Sequence, residues 1–299
     1  MNDINFENKV AIVTGAGAGI GRQYALALAM RGARVVVNDL GSARDGSDAD
    51  ASPADRCVAE IKAAGGEAVA NHDTVATMAG GRNIVATAIE TYGTVDILIN
   101  NAGILRDRTF LNMSEEDWDQ VINVHLKGAF CVTQPALKIM KEKNYGRIVL
   151  TSSFSGLYGI FGQTNYSAAK MGLVGLVNTL KLEMARYNIC VNAVAPNAAT
   201  RMTEEIFDEN AKKRMRTQLN VPMVLYLCSE ENPVSGNTYV MGAGWYGRTA
   251  VMTGGGCIVK DSELDISAED IRDHFEQING LDSATYYENA MAVLADIFR

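Results

Sequence analysis

The chain has 299 residues, 47% of them hydrophobic and 21% charged, with a formal net charge of −8. That composition is expected of a soluble globular protein with length enough for a well-buried core, and the acidic balance argues against a nucleic-acid partner, which needs clustered Lys and Arg. The five Cys form no C-x-x-C pair and the three His (His72, His125, His274) lie far apart, so reduced thiols and no metal site are expected.

"VAIVTG" (10–15) reads as a buried strand, short, β-branched and ended by Gly. "GIGRQYALALAMRGA" (19–33) reads as a helix stopped by Gly32, and "RVVVND" (34–39) as the second strand. The polar stretch 40–56 reads as a surface loop before a helix at 57–64. Further strands are expected at 67–73, 95–103, 146–153, 189–196 and 237–245, with helices between them, notably 115–142 and 165–187. Residues 214–230 read as a helix interrupted by Pro222, and 246–299 as a helical tail. Strand–helix alternation of this kind implies a parallel sheet covered on both faces. Residues 1–245 are thus expected to form one dinucleotide-binding domain, with 246–299 an extension packed on it.

The N-terminus lacks the basic segment and apolar run of a leader, and no run reaches the roughly 18 apolar residues of a membrane span. The C-terminal "ADIFR" is not an S-K-L type address, so a cytoplasmic protein without a membrane partner is expected.

"VTGAGAGIGRQ" (13–23) joins the first strand to the first helix. Gly15, Gly19 and Gly21 let the backbone turn tightly and approach an anion, and the helix start behind them, at Ile20, offers free N–H groups and a positive dipole end. The strand–turn–helix context points to a dinucleotide pyrophosphate. Asp39 ends the second strand, where a carboxylate accepts hydrogen bonds from adenosine ribose hydroxyls and repels an added phosphate. NAD is therefore the expected cofactor.

In "FGQTNYSAAKMGL" (161–173), Tyr166 and Lys170 share one helical face with small residues between them. A phenol ionises near pH 10, and an adjacent cation favours the phenolate. Tyr166 can then exchange a proton with an alcohol, while Lys170 also reaches the nicotinamide ribose. Ser153 follows the fifth strand, at the sheet edge where ligands bind, and can hold the substrate oxygen.

"TGAGAGIG", "NNAG" (100–103), Ser153 and "YSAAK" (166–170) together resemble the short-chain dehydrogenase/reductase family, over roughly the first 200 residues. The resemblance implies a Rossmann-like doubly wound α/β domain. It places Asn101, Ala102 and Gly103 beside the cofactor, Asp73 near the adenine and Thr200 at the nicotinamide amide. Within the family, "VVVNDLG", "NNAGILRDRTF", "VHLKGAF", "APNAATRMTE" and "GAGW" resemble the (R)-3-hydroxyacyl-CoA dehydrogenase units of multifunctional peroxisomal enzymes, nearly end to end. That implies oxidation of an (R)-3-hydroxyacyl-CoA in fatty-acid β-oxidation, with hydroxysteroids or other bulky alcohols as the alternative substrates and a catalytically silent NAD-binding subunit as the alternative of another class. Arg106, Arg108 and Arg201 are candidate CoA contacts, and a homodimer through helices 115–142 and 165–187 is expected. His125 stands where most of the family has an Asn that holds a proton-relay water through its backbone; His125 is expected to keep that backbone role, to shuttle a proton itself, or to be a buried structural group. Asn197 replaces a usual Gly, a change that Asn tolerates because it adopts left-handed backbone more readily than other side chains.

Overall fold

A computed structural model describes residues 3–47, 52–198, 214–259 and 265–297. The chain divides into two compact units, Met1–Arg248 and Thr249–Arg299. The first holds strands β1 (Val10–Thr14), β2 (Arg34–Asn38), β3 (Glu67–Asn71), β4 (Ile97–Asn100), β5 (Gly146–Thr151), β6 (Ile189–Asn197) and β7 (Thr238–Gly242) in one sheet, joined at its edge by β8 (Trp245–Thr249). The sheet order is β3-β2-β1-β4-β5-β6-β7-β8. The pairs β2–β3, β1–β2, β1–β4, β4–β5, β5–β6 and β6–β7 are all parallel, and the registers Ile12↔Val36 and Ile12↔Leu98 place β1 at the centre.

Every residue of β1, β4 and β5 is buried. β1 and β4 therefore read as near-continuous apolar runs rather than alternating ones, while β5 buries Arg147 within its run. Successive side chains still go to opposite faces. Ala11 and Val13 join one core with Tyr24, Ala25 and Leu28 of helix α1 (Gly19–Ala29) and Ile61 of α2 (Ser52–Ala63). Val10 and Ile12 join the other, with Ile84 and Ala88 of α3 (Met78–Tyr92) and Val132 and Met140 of α5 (Gly128–Glu142). Leu173 and Val177 of α7 (Thr164–Glu183) complete that face. Each Val, Leu, Ile or Met among them contributes roughly 1.5–3 kcal/mol by leaving water.

The order reverses direction between β1 and β4. In a doubly wound sheet that reversal opens a crevice at the carboxyl ends of the strands, and here those ends are Thr14 and Asn100.

Several elements differ from the sequence expectation. The polar stretch 40–56 is already helical from Ser52 among the described residues. Its first part is tied down, with Leu105 N–H donating to Arg44 O at 2.9 Å and Arg106 Nε to Asp45 O at 2.8 Å. The expected helix 115–142 is α4 (Glu115–Ile122) and α5 separated by a π-helical turn, Asn123–Lys127. Pro222 does not interrupt a helix but stands in the first turn of α8 (Val221–Cys228), where its missing N–H costs nothing. The expected strand 237–245 ends at Gly242, and Ala243 and Gly244, with φ of 51° and 83°, turn the chain into β8.

The second unit is not wholly helical. It pairs Met252–Thr253 with Thr285–Tyr286 as a short antiparallel ladder and adds helices at Ala268–Asp273, Phe275–Asn279 and Ala290–Ile297.

Candidate active site

Gly15 (φ 63°) and Gly19 (φ 57°) both occupy left-handed backbone. A Cβ on Gly15 would lie 2.7 Å from Ala102 Cα, and one on Gly21 would collide with Gly15 O and Asn101 Nδ2. Gly19 instead faces open space. The first turn of α1 has neither a side-chain cap nor an acidic residue, so its N–H groups stay available to an anion. Ile20 packs its side chain on the core behind the turn. A dinucleotide pyrophosphate fits this cradle.

Asn101 holds the turn in place. Its Nδ2 donates to Thr14 O and Gly15 O, each at 3.1 Å, while the N–H groups of Asn101 and Ala102 donate to Thr14 Oγ1 at 3.0 and 3.1 Å. The "NNAG" segment thus fastens the end of β4 to the glycine turn. Asp39, one residue past β2, accepts from Gly17 N–H and Gly41 N–H at 2.7 Å each. Each carboxylate oxygen keeps a second lone pair for a ribose hydroxyl. Asp73 accepts from Asn71 Nδ2 and Asn83 Nδ2, both at 2.9 Å, at the end of β3. Thr200 and Arg201 lie outside the described residues.

Ser153, Tyr166 and Lys170 converge. Ser153 caps α6 (Phe154–Tyr158), accepting from Ser155 N–H at 3.1 Å, and its hydroxyl hydrogen-bonds the Tyr166 hydroxyl. Burial pushes the phenol up to about 12, the Ser153 hydrogen bond pulls against that, and the Asp107 carboxylate adds to it. Lys170 is buried, donates from Nζ to Thr151 O at 2.6 Å, and stands 5.3 Å from the centre of the Tyr166 ring. Burial lowers its ammonium to about 7. A cluster of burial-shifted groups lining a cleft marks a candidate site for proton transfer.

His125 lies in the π turn and meets Tyr166 edge to face, ring centres 5.0 Å apart. Its Nε2 lies 3.1 Å from Ile104 N and 2.8 Å from Ile104 O, and its Nδ1 is buried without a partner. Burial first, and the Lys170 charge second, drive its pKa well below the ordinary range, so the ring is neutral. Gly103 is the floor under it, since a Cβ there would collide with His125 Cε1. A small cavity lined by Thr14, Asn100, Ala102, His125 and Lys170 lies between these groups.

The Arg106 guanidinium pairs with Asp117 Oδ1 at 3.3 Å and with Asp45 O, so it is committed within the chain rather than presented to CoA; Arg108 is exposed. Two residues with no motif to flag them complete the site. Gln163 Nε2 donates to Asp107 Oδ2 at 2.9 Å, and Asn165 Nδ2 donates to Arg106 O at 3.1 Å. Their one sequence signal is position, immediately before Tyr166.

Comparison with known proteins identifies relatives of the chain. The chain is 47% identical to mouse peroxisomal multifunctional enzyme type 2 over 282 residues, 94% of this chain and 38% of that protein. It therefore spans well under half of that relative, which its name places in peroxisomes rather than the cytoplasm. It is 44% identical over 214 residues to the hydroxyacyl-CoA dehydrogenase ChsB1 of Mycobacterium tuberculosis, 69% of this chain and 66% of that protein. A solved 7α-hydroxysteroid dehydrogenase in complex with NADH superposes with a TM-score of 0.73 at 28% identity, covering 82% of this chain and 98% of that one. No helix among the described residues is long and apolar enough to cross a membrane. The short chain dehydrogenase family model matches residues 9–211, and the chain belongs to that family.

Proposed function

We propose that the protein oxidises a secondary alcohol, an (R)-3-hydroxyacyl-CoA, to the 3-oxoacyl-CoA with NAD. The observation that carries this reading is the Ser153–Tyr166 hydroxyl pair set beside the buried Lys170 ammonium. Gly15, Gly19, Gly21 and Asp39 would hold the dinucleotide, with Asp73, Ala102 and Gly103 lining its path. Bound there, it supplies a hydride acceptor. Ser153 Oγ fixes the substrate oxygen against the phenol. Tyr166 takes the hydroxyl proton as the alcohol is oxidised and returns it in reduction. Lys170 Nζ stabilises the phenolate that this leaves, a contribution that grows as the cleft excludes water. The neutral His125 orients the Tyr166 ring. The hydroxyacyl-CoA substrate is supported by the names of the relatives, and NAD by the Asp39 carboxylate and by the NADH-bound neighbour.

The half-exposed Phe130 and Met171, on α5 and α7, support a homodimer through those helices. Sedimentation equilibrium should return twice the monomer mass, and a monomer would refute the pairing.

Formation of reduced nicotinamide, followed by absorbance, should be fastest with (R)-3-hydroxyacyl-CoA thioesters and NAD, and slower with the (S) isomers, hydroxysteroids and free alcohols. Tyr166→Phe should lower kcat by at least about 10²-fold. A preference for hydroxysteroids would transfer the assignment to that class. Tight nucleotide binding without turnover of any alcohol would make the protein a silent subunit.

A further inference from the structure

We infer that Asn71 and Asn83 are positioning residues that hold the Asp73 carboxylate between them as the acceptor that selects an aminopurine. The inference rests on the NAD reading and on the placement of Asp73 at the adenine, and it adds the amides that make that placement rigid.

The two amides reach the carboxylate from different elements. Asn71, the last residue of β3, donates from Nδ2 to Asp73 Oδ2 at 2.9 Å. Asn83, exposed on α3, donates from Nδ2 to Asp73 Oδ1 at 2.9 Å. The carboxylate is thus gripped from the strand on one side and from the following helix on the other. Each oxygen accepts one amide hydrogen and keeps a lone pair for a further donor.

Asn71 is anchored in turn. Its amide makes the four hydrogen bonds open to such a group: Nδ2 donates to Asp73 Oδ2 and to Thr87 Oγ1, each at 2.9 Å, and Oδ1 accepts from Asn38 Nδ2 at 2.8 Å and from Asp73 N–H at 3.0 Å. Asn38 Nδ2 also donates to Asp73 O at 2.9 Å. Asn38 and Asn71 stand opposite each other in the β2–β3 register, and both are buried. The three positions before Asn38 are Val35, Val36 and Val37. A fourth Val there would avoid the cost of burying an amide. What the amides add is a fixed Asp73, since a fully satisfied polar network rigidifies what it holds. The same pair ties in the rest of the adenosine end. Asp39 N–H donates to Asn71 O at 3.0 Å, and Ala16 N–H, in the glycine turn, donates to Asn38 O at 2.9 Å.

An ionised carboxylate only accepts hydrogen bonds. Adenine offers it a C6 amino group, which donates. Hypoxanthine carries a C6 oxygen at the same point, so acceptor meets acceptor. That discrimination lasts only while the carboxylate is held in place. A carboxylate free to swing into water accepts from water and reads neither base.

The test is nucleotide binding, followed by the fluorescence of NADH and of reduced nicotinamide hypoxanthine dinucleotide. The wild type should bind the adenine form at least about tenfold more tightly, the scale of one hydrogen bond to a charged group. Asn71→Leu, close to Asn in size, should bring that ratio toward one. Asn83→Ala should lower it by about threefold, the scale of one lost exposed hydrogen bond. In both, the weakening falls on NADH and not on the hypoxanthine analogue, and turnover shows it as a raised KM for NAD more than as a lowered kcat. A merely structural role would lower Tm and weaken both nucleotides alike. An unmoved ratio in either variant would overturn the inference. Should Asn71→Leu fail to fold, Asn83→Ala decides alone, because Ala suits an exposed helical position. A wild type that binds both nucleotides equally would overturn the inference together with the placement of Asp73, yet leave NAD-linked alcohol oxidation standing. A wild type that binds neither would remove the NAD reading itself.

Discussion

Asp39 sets two backbone hydrogen bonds against the glycine turn, and the proposed preference for NAD rests on its charge. Its carboxylate accepts from Gly17 and Gly41 N–H, and Gly17 has no room for a side chain, since a Cβ would lie 2.6 Å from Pro53 Cβ and 2.9 Å from the carboxylate itself. The charge is therefore seated against the glycine turn, where an extra phosphate on the ribose would meet it. Asp39→Asn keeps the shape and removes the charge. It also turns an amide N–H₂ toward one of the two backbone donors, a mismatch that costs about 1–3 kcal/mol. The ratio of kcat/KM for NAD over NADP should fall by at least about tenfold, equivalent to about 1.4 kcal/mol of discrimination, while Tm drops. An unchanged ratio would show that cofactor choice resides elsewhere.

At the scale of elements, close helix contact depends on residues that have no side chain. A Cβ on Gly81 of α3 would collide with Cys131 O of α5, and one on Gly80 would collide with Thr74 O. Gly81→Ala should force the two helices apart and cost about 1–3 kcal/mol as an overpacking change, read as a lower urea midpoint at unchanged slope. A midpoint equal to wild type would mean that α5 yields freely. The strands themselves were legible, because β1, β2, β5 and β6 are parallel, buried and rich in β-branched residues, and a strand–glycine–helix sequence has few other readings. The Tyr166–Lys170 pairing was legible for a similar reason, both residues falling on one helix. The π turn at Asn123–Lys127 was not. Its Gly128 N–H to Asn123 O bond leaves no periodic mark in the sequence, yet that turn is what sets His125 against Tyr166. The Asp107–Gln163 contact joins residues 56 apart, and no local pattern encodes a pairing at that distance. The early start of α2 was hidden because Ser52 and Pro53 suit a helix's first turn as well as they suit a loop.

For the whole molecule, the buried site imposes a pH dependence on stability. Lys170 and His125 both lose their protons more readily when folded, from 10.5 to about 7 for the lysine and from 6.5 to well below it for the histidine. In both cases the unfolded chain binds more protons than the folded one across the interval, so stability rises with pH there and is lost on acidification. The lysine acts between pH 10.5 and about 7, and the histidine only below 6.5. The two windows separate, which makes them testable one at a time. Each group contributes at most about 1.4 kcal/mol per pH unit within its own window. His125→Asn should lower stability at neutral pH through loss of the Ile104 contact and the ring stack. More tellingly, it should flatten the fall below pH 6.5 while leaving the alkaline slope unchanged. Urea unfolding at a series of pH values measures both slopes. A mutant curve parallel to wild type below pH 6.5 would assign the acid loss to other groups and would mean that the His125 ring gains its proton without unfolding the site around Tyr166.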